Sequence, residues 1–386
     1  MNESTFSPGG GQPGTAARGQ GPSGLQAVGS VAVRTFATHQ SMTTAHQSMD
    51  GHHVNAMAGD QGGTDPARFA DYDDLPDGHF YDPDAEYEPD PEYAATLAPD
   101  AARQRRERIG PTGRPLPYFP IPGPLTEHGP AKIIAMCNQK GGVGKTTSTI
   151  NLGAALAEYG RRVLLVDFDP QGALSVGLGV NPMELDLTVY NLLMERGMSA
   201  DEVLLKTAVP NMDLLPSNID LSAAEVQLVS EVARESTLQR ALKPLMADYD
   251  YIVIDCQPSL GLLTVNALTA AHKVIVPLEC EFFALRGVAL LTETIEKVQE
   301  RLNPDLELDG ILATMYDSRT VHSREVLARV VEAFDDHVYH TVIGRTVRFP
   351  ETTVAGEPIT TYASNSVGAA AYRQLAREVL ARCHAE

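Results

Sequence analysis

Ile133-Ile134-Ala135-Met136-Cys137-Asn138-Gln139-Lys140-Gly141-Gly142-Val143-Gly144-Lys145-Thr146-Thr147 decides the fold. Its apolar first part reads as a buried strand, and the apolar-periodic segment Ser148 to Tyr159 that follows reads as a helix. Strand, glycine-rich loop and helix form the setting that a phosphate-binding loop requires. The glycines let successive backbone N–H groups turn toward one anion. The helix N-terminus adds unpaired N–H groups and partial positive charge. Gly141, Gly142, Val143, Gly144, Lys145, Thr146 and Thr147 are therefore the nucleotide-binding candidates. Lys145 is placed to reach the β- and γ-phosphates, and the Thr146 hydroxyl to ligate Mg²⁺. The general pattern G-x-x-x-x-G-K-[ST] is met only loosely, because Gln139 stands at its first glycine and Lys140 follows. A second ammonium at the loop mouth can neutralise phosphate charge beyond the reach of Lys145.

Two further segments place carboxylates where this loop needs them. Val163 to Val166 runs into Asp167-Phe168-Asp169-Pro170-Gln171-Gly172, and Tyr251-Ile252-Val253-Ile254 runs into Asp255. An aliphatic strand that ends in an acid puts that acid at the C-terminal edge of a sheet, where open α/β sheets bind ligands. Asp255 is the candidate for holding Mg²⁺.

These residues together resemble the ParA/MinD class of P-loop ATPases, and among them the ParA/Soj chromosome-partitioning type. Lys140-Gly141-Gly142-Val143-Gly144-Lys145-Thr146-Thr147 is similar to the class's deviant Walker A loop. There the lysine at the position of Lys140 crosses to the partner subunit's nucleotide. The resemblance makes Lys140, Lys145 and Asp169 the catalytic set, with Asp169 positioning the attacking water. It makes Thr146, Asp167 and Asp255 the metal set. The loop after Asp255 reads Cys256-Gln257-Pro258-Ser259-Leu260-Gly261, with Gln257 where the family has proline. Thr314-Met315-Tyr316-Asp317-Ser318-Arg319-Thr320 and Gly344-Arg345-Thr346-Val347-Arg348 resemble two later family segments, Gly344 standing where proline is usual. Arg319 and Arg348, joined by Arg345, are thereby implied as nonspecific DNA contacts. Guanidinium groups suit such sequence-blind, salt-sensitive phosphate contacts.

The family likeness implies ATP and Mg²⁺ as cofactors and a homodimer formed on ATP binding. It also implies slow hydrolysis stimulated by a ParB-like activator, nonspecific binding to nucleoid DNA, and a cytoplasmic, nucleoid-associated location. No stable membrane association is expected. The alternatives are a ParA-like ATPase that positions a non-chromosomal cargo, a MinD-like membrane-surface switch, and an adaptor whose acidic arm does the docking.

Composition bounds these readings. The chain has 386 residues and a formal net charge of −20. Up to Pro130 there are 17 Asp/Glu and 8 Lys/Arg; the remainder carries 33 and 22. Neither part has the basic excess of a nucleic-acid-binding domain, so DNA contact needs a local patch. Cys137, Cys256, Cys280 and Cys383 are widely spaced without a C-x-x-C pair, which excludes a disulfide framework or a zinc site.

Residues 1–130 read as a disordered acidic, Pro/Gly-rich arm and linker, and 131–386 as the ATPase domain. Asp71 to Glu92 holds ten carboxylates and no Lys or Arg, too little apolar surface to offset its ordering entropy. Gly110 to Pro130 reads as a linker with polyproline II character. Beyond it, alternating strand and helix patterns predict a P-loop α/β fold: a mostly parallel twisted sheet covered by helices on both faces. Helices are expected, among others, over Leu221 to Ala233 and Ser236 to Met246, and a packing helix over Val367 to Cys383.

Overall fold

The structure is a computed structural model that describes residues 108–281 and 284–384. Residues 1–107, most of the expected disordered arm, lie outside the described residues. The first half contains β1 (Lys132–Met136), α1 (Lys145–Glu158), β2 (Val163–Phe168), α2 (Ala173–Gly177), α3 (Val189–Met194), α4 (Ala200–Val203), β3 (Leu205–Lys206), β4 (Met212–Leu215), α5 (Leu221–Gln227) and α6 (Thr237–Leu242). The second contains β5 (Tyr251–Cys256), α7 (Leu262–Ala270), β6 (Lys273–Glu279), α8 (Ala284–Arg301), β7 (Glu307–Thr314), α9 (Val321–Phe334), α10 (Arg348–Ala355), α11 (Ile359–Tyr362) and α12 (Val367–His384).

The seven strands form one sheet in the order β3-β4-β2-β5-β1-β6-β7. All pairs are parallel except β3 with β4. β2 and β5 are buried at every residue, as strands covered on both faces must be, and so they read as unbroken aliphatic runs. On one face, Ile134, Met136, Leu165 and Val253 join Leu152 and Leu156 of α1 and Leu375 and Val379 of α12 in the main core. The alternate residues Ile133, Ala135, Ile252 and Ile254 are buried too, and so face the opposite side. There α7 packs against β1 and β5, and α8 against β6 and β7. Gly153 lets α1 lie close to the sheet: a Cβ there would meet Leu165 Cδ2 at 2.7 Å.

The C-terminal helix is consumed by this core. Tyr372, Leu375, Ala376, Val379 and Leu380 of α12 are buried, and the Tyr372 hydroxyl lies 3.1 Å from Ser148 Oγ. No apolar stripe of the kind a bilayer anchor needs is left over on these residues. Among the described residues no helix is long and apolar enough to cross a membrane. Cys137, Cys256 and Cys280 are buried free thiols, each at or just past the end of a buried strand.

The helix expected over Leu221 to Ala233 is shorter. It ends at Gln227, passes through a 3-10 turn at Leu228–Ser230, and Ala233 takes φ 53°. Val226, Val229 and Val232 are exposed, so no packing supports a longer helix there against the low propensity of β-branched residues.

Residues 108–130, read from sequence as part of the arm and linker, strap onto the domain. Ile109 bridges Pro115, and Leu116 N–H donates to Arg108 O at 2.7 Å. Arg114 donates to the carbonyls of Asp335 (2.7 Å) and Val338. Arg161 donates to Gly123 O at 2.7 Å, His128 Nδ1 lies 2.8 Å from Asp250 Oδ2, and Gly129 N–H donates to Asp250 Oδ1 at 3.0 Å. A chain that starts at Arg108 should melt like the full protein. One that starts at Ala131 loses these contacts and should be less stable by about 2–3 kcal/mol, roughly 5–10 °C in Tm. Equal melting temperatures for the two would contradict a structural role for the strap.

Candidate nucleotide site and arginine edge

The phosphate-loop residues lie at the C-terminal end of β1, an interior strand beside the central β5. Asn138 fixes the start of the loop by donating to Pro277 O at 2.7 Å, while its Oδ1 accepts from Lys140 N–H at 2.9 Å. Gly142 and Gly144 take φ 75° and 80°, a region that side chains disfavour. Gly144 is the N-cap of α1, so the loop amides and the helix terminus converge. Thr314, at the end of β7, supports the loop from beneath: its hydroxyl donates to Val143 O at 2.9 Å. Lys145 is 7% exposed, and its Nζ folds back onto Lys140 O at 3.2 Å. It is a nearly buried ammonium held by a single carbonyl, the arrangement an arriving phosphate can take over.

The carboxylates converge on the same point. Asp167 and Asp255 stand opposite one another in register on β2 and β5, both fully buried. Burial pushes the Asp255 carboxyl up to about 8, with Asp167 adding to it and the Thr146 hydroxyl opposing. Thr146 Oγ1 donates to Asp255 Oδ2 at 2.6 Å, while Asp255 Oδ1 is buried without a partner. Asp167 is also raised, to about 6, first by burial, against the hydrogen bonds from Ser175. Its Oδ2 accepts from Ser175 N–H (2.8 Å) and Oγ (2.7 Å), and its Oδ1 from Asp169 N–H at 3.3 Å. Asp169 is half-buried, and its Oδ1 accepts from Gln171 N–H at 2.9 Å.

A divalent cation fits this set. Two buried carboxylates stand side by side with the Lys145 ammonium only partly offsetting them, and an orphaned Asp255 oxygen sits beside a threonine hydroxyl. Among the described residues no group of three or more His, Cys, Asp or Glu could hold a metal alone. That suits Mg²⁺, which binds through one or two carboxylates plus substrate phosphates rather than a protein cage. Thr146 and Asp255 have the free capacity; Asp167 is largely spent on Ser175 and Asp169.

Lys140 lies exposed at the loop mouth, its Nζ 3.1 Å from Glu279 Oε2 and also paired with Glu281. Glu279 in turn pairs with Arg345 at 3.1 Å. The three candidate DNA arginines gather at the C-terminal end of β7. The chain after α9 runs along the outer edge of that strand, with Val338 bridged to Ile311 and Gly344 to Tyr316. Arg319, Arg345 and Arg348 all point to solvent, with side-chain exposures of 88%, 64% and 56%. Each has a carboxylate neighbour, Asp317, Glu279 and Glu351 respectively, so the edge is nearly balanced in charge. Gln257 donates to Glu225 Oε1 at 2.8 Å, which ties the loop after Asp255 to α5. Ser175, Thr314, Glu279, Glu281 and Glu225 were not singled out in the sequence. All but Ser175, eight residues from Asp167, are distant in the chain from the residue they hold, and Thr314 is marked only as the first residue of a longer segment.

Known proteins agree with this geometry. Residues 131–308 match the family model of an AAA domain. The chain is 49% identical over 250 residues to the sporulation initiation inhibitor protein Soj of Bacillus subtilis, covering 65% of this chain and 98% of that protein. It is 48% identical over 255 residues to the chromosome partitioning protein ParA of Caulobacter vibrioides, covering 66% and 95%. A Mycobacterium smegmatis structure described as a cobyrinic acid a,c-diamide synthase with bound ADP and magnesium superposes with a TM-score of 0.59 at 46% identity, covering 66% of this chain and 96% of that one. With a P-loop at the centre of a seven-stranded sheet and near half-identity across almost the whole of Soj and ParA, the chain belongs to the ParA/Soj family of chromosome-partitioning ATPases.

Proposed function

We propose that the protein is an ATP-driven dimerising switch whose ATP-bound dimer binds DNA without sequence preference. Hydrolysis, stimulated by a ParB-like partner, releases it. The observation that supports this most is the convergence of Lys145, Thr146 and the Asp167–Asp255 pair at one sheet edge, with an exposed second lysine at its mouth. The ATPase unit is 131–386, with residues 108–130 strapped to it and the earlier residues a separate arm. Its location is cytoplasmic, on the nucleoid.

In this mechanism the loop amides from Gly141 to Thr147 and the Lys145 ammonium hold the β- and γ-phosphates. Thr146 and Asp255, with Asp167 behind them, would hold Mg²⁺, which neutralises charge on the phosphate oxygens. Asp169 orients the water for in-line attack on the γ-phosphate. Lys140 leaves Glu279 and Glu281 for the partner subunit's nucleotide. Its present pairs are exposed and worth at most about 1 kcal/mol each, so a phosphate competes well for it. Asp169 orients the water without acting as a strong base. Turnover is therefore slow until a partner improves the alignment, as befits a timer.

Arg319, Arg345 and Arg348 contact DNA phosphates by exchanging their carboxylate neighbours for phosphate oxygens. The test is a duplex-DNA titration with ATP, ADP and no nucleotide at two salt concentrations. Binding is expected with ATP only, to weaken with salt, and to fall about three- to tenfold in Arg319→Ala or Arg348→Ala. Absence of binding in every nucleotide state would move the cargo surface to a membrane or a protein scaffold.

A further inference from the structure

We propose that the exposed face formed by Arg319, Val321 and Arg324 on one segment and Arg345, Val347 and Arg348 on the other is the docking surface for residues 71–92 of the same chain, which compete there with DNA. The docking stands on the surface and the arm; only the competition rests on the DNA-binding reading above.

The surface has a mixed character that duplex DNA does not match. Val321 is 59% exposed between Arg319 and Arg324, and Val347 is 73% exposed between Arg345 and Arg348. A phosphate backbone satisfies the guanidinium groups and leaves the valines without a complement. Residues 71–92 offer both partners. They carry ten carboxylates and no Lys or Arg, interleaved with Tyr72, Phe80, Tyr81 and Tyr87. Carboxylates pair with guanidinium forks, and aromatic rings cover both guanidinium faces and exposed aliphatics.

The strap brings the arm to this edge. Arg108 is hydrogen-bonded to Leu116, and Arg114 is fastened to Asp335 and Val338. Val338 pairs with Ile311 of β7, and Gly344, next to Arg345, pairs with Tyr316. That separation is five residues, at most about 17 Å. The sixteen residues from 93 to 108 can span up to about 55 Å, so 71–92 reaches the arginines with slack. Arg319, Arg345 and Arg348 each already have an acidic neighbour, but their guanidinium groups are exposed, and exchanging one carboxylate for another costs little. Tethering at millimolar effective concentration makes weak contacts sufficient. The arm then sets a threshold: DNA must displace it, and any ligand that captures the arm frees the face.

The test uses the full-length chain and two variants of it. One carries Asp82→Asn, Asp84→Asn, Glu86→Gln, Glu88→Gln, Asp90→Asn and Glu92→Gln. The other keeps every charge and carries Tyr81→Ser and Tyr87→Ser. An arginine-selective dicarbonyl reagent, read by mass spectrometry, reports the accessibility of Arg319 and Arg348 without DNA. Docking predicts labelling at least threefold faster in both variants. It also predicts DNA binding with ATP about tenfold tighter in the carboxylate variant at low salt, the gain fading at high salt. Unchanged labelling in both variants overturns the proposal. Faster labelling in the carboxylate variant alone points to long-range charge without a docked segment and overturns it too. Faster labelling in both, with no DNA binding by any of the three proteins, upholds the docking and refutes the DNA reading.

Discussion

Lys145→Ala is expected to weaken ATP binding by a hundredfold or more, about 3 kcal/mol, because phosphates in a nearly buried pocket would be left facing no cation. Lys145 is 7% exposed, and its hydrogen bond is to the loop carbonyl of Lys140, not to the core. The substitution should therefore leave the fold intact, with a far-ultraviolet spectrum and melting curve close to those of the parent. Titration calorimetry with ATP and magnesium reads the loss directly. Unchanged affinity would mean that the nucleotide binds elsewhere.

Asp169→Ala should separate binding from hydrolysis. Asp169 sits just past the end of β2 beside the buried pair, but among the described residues its side chain's one hydrogen bond is the turn contact with Gln171 N–H. That contact is worth about 1 kcal/mol. Hydrolysis should fall by about a hundredfold or more, the order expected when a reacting group loses its alignment, while ATP affinity stays within a few-fold. Phosphate release under single-turnover conditions distinguishes the two effects. A mutant that hydrolyses ATP at the parent rate would take the water-orienting role away from Asp169.

What the sequence made legible follows from how local each signal is. β1, β2 and β5 were readable because strands buried on both faces are unbroken aliphatic runs, and the loop between β1 and α1 carries its chemistry in consecutive residues. The positions of Lys145, Thr146 and Asp255 were readable for the same reason: each lies at or next to the end of an element whose type is plain. β4 was not, because Met212–Leu215 is four residues long with Asp213 among them, and its burial comes from neighbours far along the chain. α5 was overextended because Val226, Val229 and Val232 look like a helical stripe, and only the fold reveals that nothing covers them.

The supports of the site were hidden for a different reason. Thr314 reaches Val143 across 171 residues, and Glu279 reaches Lys140 across 139. Such pairs exist only once β6 and β7 lie beside β1. The strap was hidden by composition. A Pro/Gly-rich segment reads as solvent-facing, yet the anchors are isolated polar residues, Arg114, His128 and Gly129, which leave no periodic trace. The arginine edge was half legible: the residues were identified, but their pairing with Asp317, Glu279 and Glu351 was not.

ATP, and not ADP, should join two copies of this chain through the phosphate-loop face. The most direct measurement is the mass in solution of the Asp169→Ala protein by light scattering, with ATP, with ADP and without nucleotide. The mechanism predicts a doubling of mass with ATP alone, and its loss when Lys140→Ala is added. A monomer under all three conditions, with ATP demonstrably bound, would contradict it.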